Sequence, residues 1–195
     1  LGYLCAVGVV FMTLVDVSRQ LRAHGINRLP DLLSMLDLVA LGTVCDVVPL
    51  VGLNRAFVTK GLVAARHLSN PGLSALARVS SIGEPLNPFH LGFLIGPRIN
   101  AGGRIGNAAL GSMALVEEDA NRAGEIAAEL DRLNKERQAI ETEMVAQARA
   151  EADRDMATGT PPAVVLTSST EWHPGIVGLI AARLKEHTRR PAFAV

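Results

Sequence analysis

Gly96-Pro97-Arg98-Ile99-Asn100-Ala101-Gly102-Gly103-Arg104-Ile105-Gly106 packs four glycines, one proline and two arginines into eleven residues. Each glycine gives up more backbone freedom on ordering than any other residue. Such a density argues for backbone that takes positive φ or admits a ligand closely, rather than for a regular helix or strand. The arginines offer planar forks of donors suited to phosphate. Two readings stand level on spacing alone: a loop that handles phosphate, or a tight connection between helices whose arginines cap carbonyl ends. No Lys-Ser or Lys-Thr follows the glycines, as a Walker-type loop requires, and no clear strand leads in, as a dinucleotide fingerprint requires.

Outward from this stretch, Phe89 to Ile95 reads as a short helix leading in, and Asn107 as the cap of a helix over Ala108 to Val116. Glu118 to about Met156 contains no proline and a single glycine, Gly124. Acids cluster in its first turn, where the helix dipole favours them. Ala123, Ile126, Leu130, Leu133, Arg137, Ile140 and Met144 step by threes and fours, a seam that packs on another helix. A helix of roughly 38 residues spans ~57 Å, long enough to join two domains.

Beyond it, a break over Thr158 to Pro162 precedes a strand at Ala163 to Leu166. A helix from Pro174 to Glu186 and a second strand from Pro191 follow. Strand, loop, helix, strand opens an α/β unit. Upstream, Gly2 to Leu21 reads as a buried helix. Leu32 to Val48 reads as a helix started by Pro30-Asp31, broken near Gly42 and ended by Pro49. Asn54 is the expected cap of a helix to Leu68, Asn70-Pro71-Gly72 a turn, and Leu73 to Val79 a short helix. The fold expected is α/β, with a mostly helical first part. Leu1 at the start and an unfinished strand at the end give the chain the look of a fragment.

The 195 residues are 49% hydrophobic and carry no net charge, which excludes a uniformly basic binder. From Glu117 to Asp155, however, there are twelve acids and six bases, and the remainder holds thirteen bases and seven acids. A basic remainder keeps nucleic acid open as a partner. Five Phe, one Tyr and one Trp are few for a platform on which bases stack. Asp16, Arg19 and Arg22 follow the first apolar run too soon for a membrane span, so no membrane partner is expected. Cys5 and Cys45 sit in apolar runs as buried thiols of a reducing compartment, hence a cytoplasmic location.

Asp46 lies between Val44-Cys45 and Val47-Val48 at a helix C-terminus, where the dipole disfavours its charge. A divalent metal would compensate; an exposed position or an arginine partner would equally explain it. Asp37 is two and a half turns away and reads as structural or solvent-facing. The five histidines are dispersed, and Asp153-Arg154-Asp155 sits at a polar helix end, so the chain does not assemble a two-metal ligand set. Trp172-His173-Pro174-Gly175 precedes a helix, with Ser168, Ser169 and Thr170 nearby. The N–H groups of that helix start suit an anion.

Leu38 to Leu50, with Gly42-Thr43-Val44-Cys45-Asp46-Val47-Val48-Pro49-Leu50, resembles the fourth motif of the DHH phosphoesterases in its RecJ form, GTxxDVVPL. Gly96 to Arg104 is similar to the RecJ stretch GPRINAxGR. Asn134-Lys135-Glu136-Arg137-Gln138 resembles NxxRQ of the interdomain helix. Trp172 to Gly178 with Ala181 to Leu184 resembles WHPGxxGxxASRL of the associated DHHA1 domain. The matches fall in order along nearly the whole chain. The resemblance implies the C-terminal part of a DHH domain in 1–116, an interdomain helix in 117–157 and the start of a DHHA1 domain in 158–195. It implies a 5′→3′ exonuclease on single-stranded DNA using Mn²⁺ or Mg²⁺. Asp46 would be a metal ligand, and Arg104 or, second, Arg98 a phosphate contact in the stretch that also carries Asn100. Gln138 and Arg183 would line the groove for the 5′ end, and His173 would face the cleft. Ala182 stands where the family often has Ser. The family's DxD and DHH metal motifs would lie upstream, so these residues alone are expected to be inactive. The alternatives are a DHH phosphodiesterase on short oligonucleotides or cyclic dinucleotides, and a non-catalytic DNA-binding relative.

Overall fold

The computed structural model describes residues 2–157 and 162–195. Of the helix break expected over Thr158 to Pro162, residues 158–161 lie outside the described residues. The chain groups into two compact units, Leu1–Pro97 with Ala114–Ala127, and Arg98–Met113 with Ala128–Val195.

The first unit is helical. Helix α1 (Ala6–Ala23) is followed by a 3₁₀ turn (Leu32–Met35), α2 (Leu36–Cys45), α3 (Gly52–Ala64) and α4 (Pro71–Val79). Phe11, Leu36, Val39 and Phe57 form one buried cluster in it, with Phe11 and Phe57 meeting edge-on at 5.4 Å. Asp31 caps the 3₁₀ turn by accepting the Leu33 N–H, and Asn70 caps α4 by accepting the Leu73 N–H. Pro71 fills the first position of α4, where no N–H is needed. The expected turn at Asn70-Pro71-Gly72 is thus a helix start. Close backbone approach, not flexibility, fixes two glycines here. A Cβ on Gly61 would collide with the Leu36 carbonyl, and one on Gly72 with the Ala114 carbonyl.

Three expectations for this unit are corrected. Helix α1 is not buried: Gly8, Phe11 and Ser18 are its buried residues, while Val9, Val10, Leu14, Val15 and Val17 are exposed. The discontinuity between 32 and 48 lies where the 3₁₀ turn meets α2, not at Gly42, which sits inside α2 against Val7. Asn54 does not cap α3. It is buried inside it, and its Nδ2 donates to the carbonyls of Tyr3 and Pro49, each at 2.9 Å.

The glycine-rich stretch is also corrected. It is helix α5 (Gly96–Ile105), entered through a π-helical run (His90–Ile95). Such widened turns are rare and short. This one takes up the crowding that Pro97 imposes on the turn before it. Among the described glycines only Gly25 and Gly52 have positive φ. Gly102, Gly106 and Gly111 serve packing instead, whereas Gly103 meets nothing within 4 Å. A Cβ on Gly102 would lie 2.8 Å from the Asn107 carbonyl oxygen and 3.4 Å from Leu130 Cδ2. One on Gly106 would lie 2.8 Å from Leu133 Cδ1, and one on Gly111 2.7 Å from Ile99 Cγ2.

Helix α6 (Leu110–Val116) follows, its entry held by Asn107 accepting the Ala109 N–H. Helix α7 (Ala120–Ala157) runs 38 residues. Its seam behaves as the periodicity predicts: Ala123, Ile126, Leu130, Leu133, Arg137 and Met144 are buried and Ile140 half-buried. The acids at 117–119 precede the helix rather than occupy its first turn, and Asp119 caps it by accepting the N–H groups of Asn121 and Arg122.

In the second unit, β1 (Val165–Thr167) and β2 (Ala192–Ala194) pair in parallel, Val165 opposite Ala192 and Thr167 opposite Ala194. Helix α8 (Val177–Thr188) connects them and starts three residues later than expected. A parallel pair needs such a crossover. Met144, Ala148 and Ala152 of α7 pack with Val165, Trp172, Ile176, Ile180 and Leu184. Among the described residues no helix is long and apolar enough to cross a membrane.

Candidate functional site

The seam of α7 carries an unusual member. Arg137 lies among apolar neighbours with only 9% of its surface exposed, where an unpaired cation would be costly. One turn later on the same face, Glu141 accepts a hydrogen bond from Arg137 Nη1, as i,i+4 spacing allows. Arg137 Nη2 donates to Asn134 Oδ1 at 3.3 Å, while its Nε is buried without a partner. The second oxygen of Glu141 accepts from Arg183 Nε of α8 at 3.3 Å. Arg183 Nη1 also donates to Glu186 at 3.3 Å, and Glu186 first, then Glu141, raise the Arg183 pKa. Beside this network an open groove of about 650 Å³ is lined by Arg137, Gln138, Glu141, Thr142, Arg149 and Arg183, with Val145 and Ala146 as its apolar part. Three guanidinium groups face one carboxylate there. The groove therefore suits a polyanion with an apolar component.

A second cluster joins α5 to the loop before α8. Arg104, in the last turn of α5, donates from Nη1 to the Gly175 carbonyl at 3.1 Å. A Cβ on Gly175 would collide with the Arg104 backbone, so this junction requires glycine. His173 Nδ1 accepts the Gly175 N–H at 3.1 Å, Ser169 Oγ accepts the Glu171 N–H at 3.2 Å, and Trp172 Nε1 donates to Gln147 at 3.0 Å. These bonds occupy loop N–H groups that the sequence offered to an anion. They also make Arg104 a cap of a carbonyl, the second of the two readings of its stretch. Arg98 is a clip. Its Nε donates to Asp131 at 2.9 Å, and Lys135 pairs with the same carboxylate at 2.7 Å. Burial works to raise the Asp131 pKa, but its bonds to Lys135 and Arg98 outweigh it and the net shift is downward. Asn100 is exposed on α5.

Asp46 belongs to the first unit. It follows α2 directly and is exposed, so no buried charge needs compensating there. Val47 after it takes φ 55. A β-branched residue in this left-handed region carries roughly 1–3 kcal/mol of strain, and the turn it makes holds Asp46 at the surface. Asp37 is buried, not solvent-facing. It accepts the Leu38 N–H at 2.7 Å, and burial raises its pKa. Asp153 pairs with His187 at 2.8 Å at the exposed end of α7. Cys5 and Cys45 are free, the second with its thiol pushed up to about 11 by burial. Among the described residues no group of three or more His, Cys, Asp or Glu is placed to hold a metal ion.

The structure thus brings Gln138 and Arg183 to one groove, and Arg104 and His173 to one junction around Gly175. Sequence reasoning missed Glu141 and Arg149, and placed Arg137 in the seam and in the Asn134–Gln138 motif without giving it a role. The Arg137–Glu141 spacing was the signal for the first.

No family model matches the chain. Among curated relatives, the single-stranded-DNA-specific exonuclease RecJ of Salmonella typhimurium is 38% identical over 98% of this chain. This chain is similar to RecJ along almost its whole length. The RecJ of Thermus thermophilus is 38% identical over 96% of it. A crystal structure of RecJ bound to manganese superposes with a TM-score of 0.76 at 37% identity, covering 86% of this chain and 42% of that one. A magnesium complex of the Thermus thermophilus RecJ also gives 0.76, at 36% identity over 86% of this chain and 26% of that one. The mostly helical fold with a small α/β part is accordingly similar to that of a segment of RecJ. The chain spans 34% of the Salmonella typhimurium RecJ.

Proposed function

We propose that the chain is part of a single-stranded-DNA-specific 5′→3′ exonuclease that hydrolyses phosphodiester bonds with Mn²⁺ or Mg²⁺. The observation that carries this reading is the groove along α7 and α8. It clusters Arg137, Arg149 and Arg183 beside Gln138 in a chain similar to RecJ over 98% of its length. The strand lies along this groove with its phosphates on the guanidinium groups, where charge-assisted, forked hydrogen bonds are strongest. Val145 and Ala146 offer contact to sugar. Arg104 stiffens the passage from α5 to the loop carrying His173, and Asn100 offers a polar contact on the exposed side of α5.

A bound metal ion would activate water and neutralise charge developing on the phosphate. Asp46 alone does not make a metal site. Its exposed carboxylate fits as one ligand of a site completed by residues elsewhere in the protein. In this reading residues 1–116 belong to the metal-bearing domain, 117–157 link it to the next, and 158–195 begin the second. A cytoplasmic location accompanies it, supported by two free thiols.

In the intact protein, Asp46→Ala is expected to lower turnover on single-stranded DNA by more than ~100-fold and to leave strand binding within about threefold. Unchanged turnover in saturating Mn²⁺ would remove Asp46 from the metal site.

A further inference from the structure

Two arginines of the groove come from different helices, yet one carboxylate holds both. We infer that Glu141 is a positioning residue: anchored by the buried Arg137, it fixes the exposed Arg183 at the wall of the groove for the DNA phosphates. This rests on the reading of the groove as the strand-binding surface.

The argument begins with burial. The side chain of Glu141 is 15% exposed and that of Arg137 11%, whereas Arg183 is 51% exposed. Arg137 needs a counter-charge because it sits in the seam of α7, and Glu141 is the one at hand. That bond fixes one carboxylate oxygen. The other oxygen is then a stationary acceptor one helix away from Arg183, and it takes the Nε of that side chain. An arginine left loose at a surface gives up rotamer freedom when it grips a ligand. Holding it through Nε removes part of that cost beforehand and leaves the Arg183 Nη2 without a partner among the described residues. Glu186, the other partner of Arg183, is 66% exposed, so solvent and salt screen it.

The opposite role, a carboxylate that competes with phosphate and must swing away, does not suit this geometry. Glu141 could leave the groove only by abandoning Arg137, whose Nε is already unpaired. An unpaired cation in the seam would cost more than displacing one exposed contact returns.

The test uses the intact protein with a single-stranded oligonucleotide. It compares Glu141→Gln, Arg183→Ala and the double variant, under conditions where circular dichroism shows each folded. Glu141→Gln is expected to raise the strand dissociation constant about tenfold and to leave kcat at saturating substrate within about twofold. In the Arg183→Ala background the same change should cost less than about threefold, because its main beneficiary is gone. Should Glu141→Gln not fold, Glu141→Asp keeps the charge for Arg137 but shortens the arm that reaches Arg183, and the same loss is expected. The inference is overturned if Glu141→Gln leaves binding unchanged while Arg183→Ala weakens it, if it tightens binding, or if the two losses add in full. If Arg183→Ala itself leaves binding unchanged, it is the reading of the groove that fails.

Discussion

Helices α5 and α7, separated by the short α6, are built from opposite materials. Helix α7 is rich in alanine, glutamate and arginine, holds one glycine in 38 residues, and buries a seam that repeats by threes and fours. Helix α5 holds three glycines in ten residues, and two of them, Gly96 and Gly102, mark places where other atoms come too close for a side chain. The difference teaches that a glycine-dense segment can be a helix when its glycines are contact surface. The loss in helix propensity, about 1 kcal/mol per glycine, is offset at Gly102 by the approach of Asn107 and Leu130.

Substitution by alanine sharpens that distinction. The largest loss is expected for Gly175→Ala, whose Cβ would strike the Arg104 backbone, an obstacle that cannot rotate away. About 3 kcal/mol or more should disappear from the unfolding free energy, read by urea titration. Unchanged stability would mean that the junction of α5 with the His173 loop does not exist in solution. Gly102→Ala, facing the Asn107 carbonyl at 2.8 Å, should cost roughly 1–2 kcal/mol. Gly103→Ala in α5 and Gly124→Ala in α7 meet nothing within 4 Å, and each should stabilise by about 0.5–1 kcal/mol. A destabilised Gly103→Ala would restore the loop reading, because conformational freedom and not packing would then be what the stretch needs.

How much of this could be read beforehand follows from the same contrast. The α7 seam, Asn107 at the entry to α6, and the strand–helix–strand end were legible, because each is set by local spacing and capping chemistry, whereas Asn70 read only as part of a turn. Helix α5 was not, since the atoms crowding Gly102 and Gly106 come from positions fixed only by tertiary packing. Helix α1 misled in the other direction. Its valines read as core, yet one face alone meets Phe57. Asp46 sits between valines, which suggests burial, but the left-handed turn at Val47 leaves it exposed. In the groove, Gln138 and Arg183 were named from resemblance, whereas Glu141 could have been found from its spacing to Arg137. What no spacing shows is that one carboxylate reaches two helices.

The central claim is that the α7–α8 groove receives the phosphates of a single strand. The salt dependence of strand binding by the intact protein and by Arg183→Ala tests it most directly. Loss of one phosphate contact should flatten the slope of log K against log salt by about 0.7 and weaken binding at low salt. An identical slope in the two proteins would contradict the account and leave Arg183 a purely structural partner of Glu141 and Glu186.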